Sequence, residues 1–520
     1  MCYYNGILTE KFINWGAYLL PMPGLVWKTI NKKKYLVIRW KKRINGKSRI
    51  IKEVYVGDLD KLATIIENPM KDINALSLSY GTSAAVFHIE SMLNLKSIIN
   101  EVVGHTENGL SPGDYAIIFI ANRLSDPRSK NGISEWMKND FISTKYRIVT
   151  SQSFWNIMER IDANEIKAIM DRIKEKLLSL GYDASKLFID ASNVYTFMEE
   201  NEMAKKGYNK KHRYDLNQIS YYIASNLDYI PLYGESYPGN VFDGRTFKTI
   251  IMNIPKSAII IFDSGYNSEE NISLISDRKY IGSLRPSDNH ELLDIPIEEY
   301  KDGYYEAMKH TLGKDHRIII YFSKNRRERE ERSLLKSIEC AIEKCQSILK
   351  SGLSNKDEKI MNILEKYHLQ ETILLKENRL EIDQEHLNKR IDRLGKTILF
   401  TNIMDMEAQE IIELYKKRNR VEHCFREISR LDLISPIYHW TPKKIKVHMF
   451  LSYLAYLFLS LIYNEAKKAD DNISLETVLS HLSPINIIYL TDGKKTKKVI
   501  STKDETGMKI LKYLNLERFQ

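Results

Sequence analysis

Ala258-Ile-Ile-Ile-Phe-Asp263 is an unbroken apolar run that stops on an acid. A run of that length and composition, followed by Ser264-Gly265, reads as a strand buried on both faces. Leu187-Phe-Ile-Asp190 repeats the pattern upstream. An acid at the carboxyl end of such a strand is a common ligand position in α/β sheets, and equally a common turn or cap. Between the two runs, Ile219–Ala224 and Asp228–Leu232 read as a hairpin around Asn226. The loop Gly234 to Gly239 and a helix at Thr246–Ile254 follow, and Tyr280–Leu284 supplies a further strand.

Strand, hairpin, helix, strand is the order of a ribonuclease-H-like sheet, in which the first and fourth strands are neighbours. That topology predicts that Asp190 and Asp263 are brought together. The expected third arm lies in Tyr415-Lys-Lys-Arg418-Asn-Arg-Val-Glu422-His-Cys-Phe425-Arg426-Glu-Ile-Ser429-Arg430. Its tyrosine, arginine and glutamate are spaced by three and four, which puts them on one helical stripe. Ile411, Leu414, Val421, Phe425 and Ile428 form the apolar stripe beside it. Two strand-borne aspartates and one helix-borne glutamate make the ligand set of a divalent-metal phosphoryl-transfer site. Glu413 and Glu427 share the helix but point about 180° and about 140° away from Glu422, which leaves Glu422 as the candidate.

A chain of 520 residues exceeds one compact core, so two to four domains are expected. With 43% apolar and 28% charged residues, the composition is that of a soluble globular protein. The net charge of +10 suits a polyanionic partner. Four cysteines without zinc-like pairing, and no basic-then-apolar leader, point to reduced thiols and a cytoplasmic protein. Val447–Tyr463 is apolar but only roughly 25 Å long as a helix, against roughly 30 Å of hydrocarbon, so a buried core helix is expected rather than a membrane span.

The expected organisation begins with a basic β-hairpin region over 1–75. Strands Tyr35–Lys41 and Arg49–Val56 would turn at Asn45-Gly46. Ten Lys or Arg and no acid lie between Lys32 and Lys52, which makes Lys41, Lys42 and Arg43 candidates for phosphate contact, a solvated hairpin face being the alternative. A helical region over 76–185 follows, interrupted by the polar tract Arg123–Ser129. The core would occupy 186–285 and 397–470, split by an insertion domain over 286–396, with a basic tail domain over 471–520. The fold class expected is therefore α/β: a ribonuclease-H-like core interrupted by an inserted α+β domain, behind an N-terminal DNA-binding region.

Several segments in this order resemble DDE transposases of bacterial and archaeal insertion sequences, in the Tyr-Arg-Glu type of insertion-sequence family four. They are Ile189-Asp190; Gly207-Tyr-Asn-Lys-Lys211-His-Arg213-Tyr-Asp215-Leu-Asn-Gln218; Gly239-Asn240-Val-Phe-Asp243 with Thr246-Phe247; and Phe262-Asp263-Ser-Gly265-Tyr-Asn-Ser268-Glu-Glu270-Asn271. Leu399-Phe-Thr401-Asn402, the Tyr415…Arg418…Glu422 helix and Asn122-Arg123-Leu-Ser-Asp126-Pro127-Arg-Ser129-Lys130 complete the set. The resemblance covers roughly residues 35–465. It implies that Asp190, Asp263 and Glu422 bind two Mg²⁺ or Mn²⁺ ions, and that Tyr415 and Arg418 contact the DNA end.

Lys211 and Arg213 would touch the DNA backbone. The family pattern places a lysine seven residues after the glutamate; here that position is Ser429, and the flanking Arg426 and Arg430 are the candidates to supply that charge to DNA. The expected protein is thus a transposase that binds terminal inverted repeats in double-stranded DNA as a homodimer, away from membranes. A catalytically inactive DNA-binding relic and a nuclease without strand transfer are the alternatives.

Overall fold

The computed structural model describes residues 23–520 apart from 45–46, 59, 61–62, 64–73, 106–108, 208–212, 214, 242, 352–354, 377–378, 436 and 492–495; at 23, 42–44 and 243 only the backbone is described. The chain divides into two compact units, one of residues up to Leu76 with Ile488–Val499, the other of Ser77–Ile487 with Ile500–Gln520. Residues 471–520, expected as one tail domain, are therefore shared between them. Within the larger unit the Tyr80 hydroxyl donates to the carbonyl of Leu516 at 2.6 Å, which fastens the C-terminal segment to the first helix.

In the smaller unit β1 (Pro23–Ile30), β2 (Lys33–Ile44) and β3 (Lys47–Asp58) form an antiparallel sheet in that order. The sequence reading found the last two strands and missed β1. Lys41 is exposed on β2 opposite Ile50, and the backbones of Lys42 and Arg43 pair with Arg49 and Ser48. Glu53, the first acid after the basic stretch, accepts from Lys28 at 2.9 Å and Arg39 at 2.5 Å. Those two hydrogen bonds hold its carboxyl down at about 2.

The larger unit starts at the end of β4 (Asn74–Ser79) and continues through helices Gly81–Leu93, Leu95–Val103, Pro112–Ser125 and Ala163–Ser179. The tract read as a polar interruption is one only in part. Arg123 is 1% exposed inside the helix Pro112–Ser125, and Lys130 is buried beyond it. Arg123 donates to the carbonyls of Asp432 (3.2 Å) and Ser435 (3.0 Å), just past the Glu422 helix. Residues 126–129 do form the expected exposed break after the helix, while Arg123 and Lys130 on either side of it are buried in a tertiary joint.

The central sheet has eight strands. They are β5 (Lys186–Thr196), β6 (Asn217–Ser225), β7 (Pro231–Pro238), β8 (Ile259–Ile261), β9 (Tyr280–Ser283), β10 (Tyr304–Thr311) and β11 (Lys314–Phe322), with β14 (Lys396–Thr401) completing the set after the short hairpin β12 (Ile373–Lys376) and β13 (Arg379–Ile382). The order across the sheet is β10-β11-β14-β9-β8-β5-β6-β7. β5 and β8 are parallel neighbours, as the strand order predicts. β5 does not end at Asp190, however; it pairs with β6 as far as Thr196, which leaves Asp190 in mid-strand. β7 is the second strand of the expected hairpin, but it covers 231–238 and so runs through most of the stretch expected as the loop Gly234 to Gly239. It is an edge strand, the position in a sheet that tolerates its glycine and terminal prolines.

The segment expected as an insertion over 286–396 is partly sheet: β10 and β11 extend the central sheet beside β14. Only the stretch from the helix Lys324–Lys350 to the helix Gln384–Arg393 has a core of its own, built on Leu334, Ile338, Cys345, Ile360, Leu364 and Ile373. The helix Pro442–Lys467 is, among the described residues, the one helix long and apolar enough to cross a membrane, and 89% of its apolar window is buried inside the protein. It serves as a core helix, burial on all sides explaining its apolar circumference.

Candidate active site

The expected single helix at Tyr415 is two helices, Ala408–Lys416 and Asn419–Arg430. At the junction the amide of Arg418 bonds to the Tyr415 carbonyl (2.9 Å), that of Arg420 to Lys417 (3.0 Å) and that of Val421 to Arg418 (3.1 Å). These three-residue steps tighten the chain without reversing it. Ile411, Leu414, Val421, Phe425 and Ile428 are all buried, so the apolar stripe survives the junction. Phe425 meets Tyr221 of β6 edge-on at 5.4 Å and seats the second helix on the sheet. Tyr415 itself is buried, 9% exposed, and not a free polar group at the rim.

Each aspartate commits one oxygen to the backbone and turns the other inward. Asp190 Oδ1 accepts from the Ala191 amide at 2.8 Å, and Asp263 Oδ1 from the Gly265 amide at 2.8 Å as it caps the short helical turn Ser264–Tyr266. Asp190 Oδ2 then lies 3.7 Å and Asp263 Oδ2 3.9 Å from the same atom, Arg418 Nη1. The other guanidinium nitrogen, Nη2, donates to Glu422 Oε1 at 2.6 Å. The three candidate acids, one within β5, one just past β8 and one on a helix, thus converge on one side chain.

Burial works against the charge of Arg418, yet Tyr415, Asp190, Glu422 and Asp263 around it push its pKa above the ordinary arginine value. Tyr415 lies beneath, its ring centroid 5.9 Å from the guanidinium, and its own phenol is raised by burial. Cys424, on the helix that carries Glu422, is fully buried, and desolvation pushes its thiol up to about 12. It is an inert packing group.

The donor set fits a hard divalent cation: three carboxylates, each presenting oxygen to one positive centre. In this conformation that centre is the guanidinium. Among the described residues no group of three or more His, Cys, Asp or Glu side chains stands close enough to hold a metal ion. The acids are assembled by topology, with the guanidinium of Arg418 standing among them.

The remaining candidates are distributed unevenly. Arg426 is exposed on the Glu422 helix, one turn beyond the glutamate, and Ser429 is exposed on the same helix. Arg430 is not brought to the acids. Its guanidinium binds buried Glu427 at 2.5 and 2.8 Å and the Glu476 carbonyl at 2.9 Å. Arg213 is exposed and held by both oxygens of Asp215 at 2.8 and 2.7 Å. Lys211 lies outside the described residues, as do the side chains of Lys42 and Arg43.

Other residues of the resembled segments stabilise the structure. Gln218 donates to the Gly239 carbonyl at 2.9 Å, and Asn271 to the Tyr266 and Gly244 carbonyls at 2.9 and 3.1 Å. Sequence reasoning placed Arg418 on the DNA and missed its place at the centre of the acids. Its four-residue spacing from Glu422 was the only signal available.

A family model described as "Transposase DDE domain" matches residues 181–458, the interval that contains all three acids. No curated protein matches the chain.

Proposed function

The chain belongs to the transposase DDE-domain family, and we propose that it is a metal-dependent enzyme that binds the terminal inverted repeats of an insertion sequence, cuts a strand at each end and joins the 3′-hydroxyl to target DNA. The observation that carries this reading is the convergence of Asp190, Asp263 and Glu422 on one cationic centre. We read β9-β8-β5-β6-β7 as a ribonuclease-H-like core: three antiparallel strands, then two parallel additions on the side of the first. Lys324–Arg393 is the inserted unit on this reading. The Tyr-Arg-Glu type of insertion-sequence family four rests on Tyr415, Arg418 and Glu422.

Asp190, Asp263 and Glu422 would hold Mg²⁺ or Mn²⁺, which supplies Lewis-acid activation of water or a 3′-hydroxyl and charge stabilisation at the leaving oxygen. The protein's own part is positioning. The two backbone hydrogen bonds fix which oxygen each aspartate turns inward, and the sheet fixes the spacing of the strands that carry them. Arg418, and Arg426 one turn beyond Glu422, are cations suited to phosphate, the guanidinium fork matching two phosphate oxygens. Lys41, Lys42 and Arg43 of the N-terminal sheet are assigned to sequence-independent phosphate contact. A dimer would pair two DNA ends, on the nucleoid in the cytoplasm.

The test is incubation of purified protein and Mg²⁺ or Mn²⁺ with labelled duplexes copied from the DNA that flanks its gene. Cleavage followed by joining is the expected result. Cleavage without joining identifies a nuclease, and binding without cleavage an inactive relic.

A further inference from the structure

We propose that Arg418 is a built-in counter-ion that occupies the cation position of the three carboxylates and has to swing out before a divalent ion enters, so that a DNA phosphate, by drawing the guanidinium away, loads the site. This rests on the metal-site reading above and adds a control step to it. The geometry is that of a placeholder. One guanidinium faces Asp190 (3.7 Å), Asp263 (3.9 Å) and Glu422 (2.6 Å) at once, each from a different element.

Its Nη1, although next to two carboxylates, is buried without a hydrogen-bond partner. Charge holds that nitrogen at the centre, without the directed bonds that would fix a permanent ion pair. A divalent ion takes its oxygen ligands at about 2.0–2.6 Å, so it needs the same carboxylate oxygens and the same space. Two cations do not share them. Arginine and metal are therefore competitors for one site.

The side chain is also placed to leave. It is 18% exposed and issues from the junction between the helices Ala408–Lys416 and Asn419–Arg430. The Tyr415 ring, 5.9 Å from the guanidinium, lines its near side. A phosphodiester offers the departing fork a two-oxygen partner of the charge it gives up. In its absence the arginine keeps Asp190, whose side chain is 7% exposed, from being a buried charge without compensation. Metal and DNA thereby favour the same released state, and coupling of that kind is reciprocal between the two ligands.

The experiment titrates Mn²⁺, without DNA, into the full-length wild type, Arg418→Gln and Arg418→Lys, and reads bound ion by electron paramagnetic resonance. Arg418→Gln is expected to bind Mn²⁺ about tenfold or more tightly than the wild type. Arg418→Lys, a smaller cation that faces fewer of the acids, is expected to fall between. A purely structural arginine would not raise metal affinity on removal. Equal affinity in the wild type and Arg418→Gln overturns the proposal; if the Gln variant does not fold by circular dichroism, equal affinity in the Lys variant does so. Asp263→Asn in each background separates the two levels. Loss of Mn²⁺ there supports the metal site whatever Arg418 does, whereas Mn²⁺ binding that survives it removes the site on which the proposal stands.

Discussion

Arg418 and Lys130 are both cations drawn into the interior of the larger unit, and their surroundings are opposite. Arg418 lies among three carboxylates at 2.6 to 3.9 Å, partly open to solvent. Among the described residues Lys130 pairs with no acid: its amine meets His439 Nε2 at 3.1 Å and His448 Nδ1 at 2.9 Å, over the Phe119 ring and near Arg123. The consequences for charge follow. Acids and a tyrosine hold Arg418 charged against its burial. Desolvation, then Arg123, drive the Lys130 pKa well down. Burial, with Lys130, Lys444 and Arg123, pulls His439 to about 3, and His448 is lowered in the same way. A cation among acids is an exchangeable occupant of a reactive site. A cation among imidazoles is a hydrogen-bonding strut that has lost its reason to be charged.

The largest effect that would sharpen this contrast is at the strut. Lys130→Ala removes a buried stem and strands the acceptor nitrogens of His439 and His448. It is expected to cost about 2–4 kcal/mol of stability in urea unfolding, with little change in Mn²⁺ affinity. A loss of metal binding at constant stability would erase the distinction.

Arg430 and Arg426 break the comparison more finely, because both were assigned to DNA. Removing Arg430 leaves Glu427, 0% exposed, without its ion pair. Since the arginine is half-exposed, the expected cost of Arg430→Ala is reduced to about 1–3 kcal/mol of stability. Arg426→Ala is expected to leave the melting temperature unchanged and to weaken DNA binding with a shallower salt dependence. The opposite pattern would reassign the two.

The histidines fix a pH dependence with a definite sign. Their folded pKa values lie below the unfolded value of about 6.5, so below pH 6.5 the unfolded chain takes up protons that the folded one refuses. The histidines' contribution to stability is fully present above that pH and falls on acidification toward about pH 3. Between pH 7 and 5 the expected loss is about 2 kcal/mol per histidine, roughly 4 kcal/mol for the pair, measured by unfolding at each pH. His448→Gln should flatten the slope, and an unchanged slope would contradict the cluster's neutrality. The smallest effect is at Ser429, exposed on the Glu422 helix. Ser429→Lys should tighten DNA binding only a few-fold, a surface charge near phosphate, and lose that gain as salt is raised.

Much of this was legible before the structure, for physical reasons. Asp190 and Asp263 stand out because an apolar run that stops on an acid is hard to satisfy except in a buried strand. The strand order then makes β5 and β8 neighbours. Helical periodicity placed Arg418 and Glu422 together, and the three-residue turn between the helices preserved that stripe instead of breaking it. What stayed hidden depends on partners distant in sequence.

Nothing local says that Arg418 faces two strands as well as Glu422, or that Arg123 and Lys130 are buried against residues 432–448. The edge position of β7 hid the extension of that hairpin strand through Gly, Ser and Pro as far as 238. The pairing of β11 with β14, across the unit that separates them in sequence, hid the true width of the central sheet.

The most direct test of the account is strand cleavage of the gene-flanking duplex in Mg²⁺ by wild type, Asp263→Asn, Glu422→Gln and Glu413→Gln, each first shown to be folded. Loss of cleavage by about 10²-fold or more in Asp263→Asn and in Glu422→Gln, with Glu413→Gln near wild type, is the predicted result. Cleavage that persists in Asp263→Asn or Glu422→Gln, or fails equally in Glu413→Gln, would contradict the assignment of Asp190, Asp263 and Glu422 as the catalytic carboxylates.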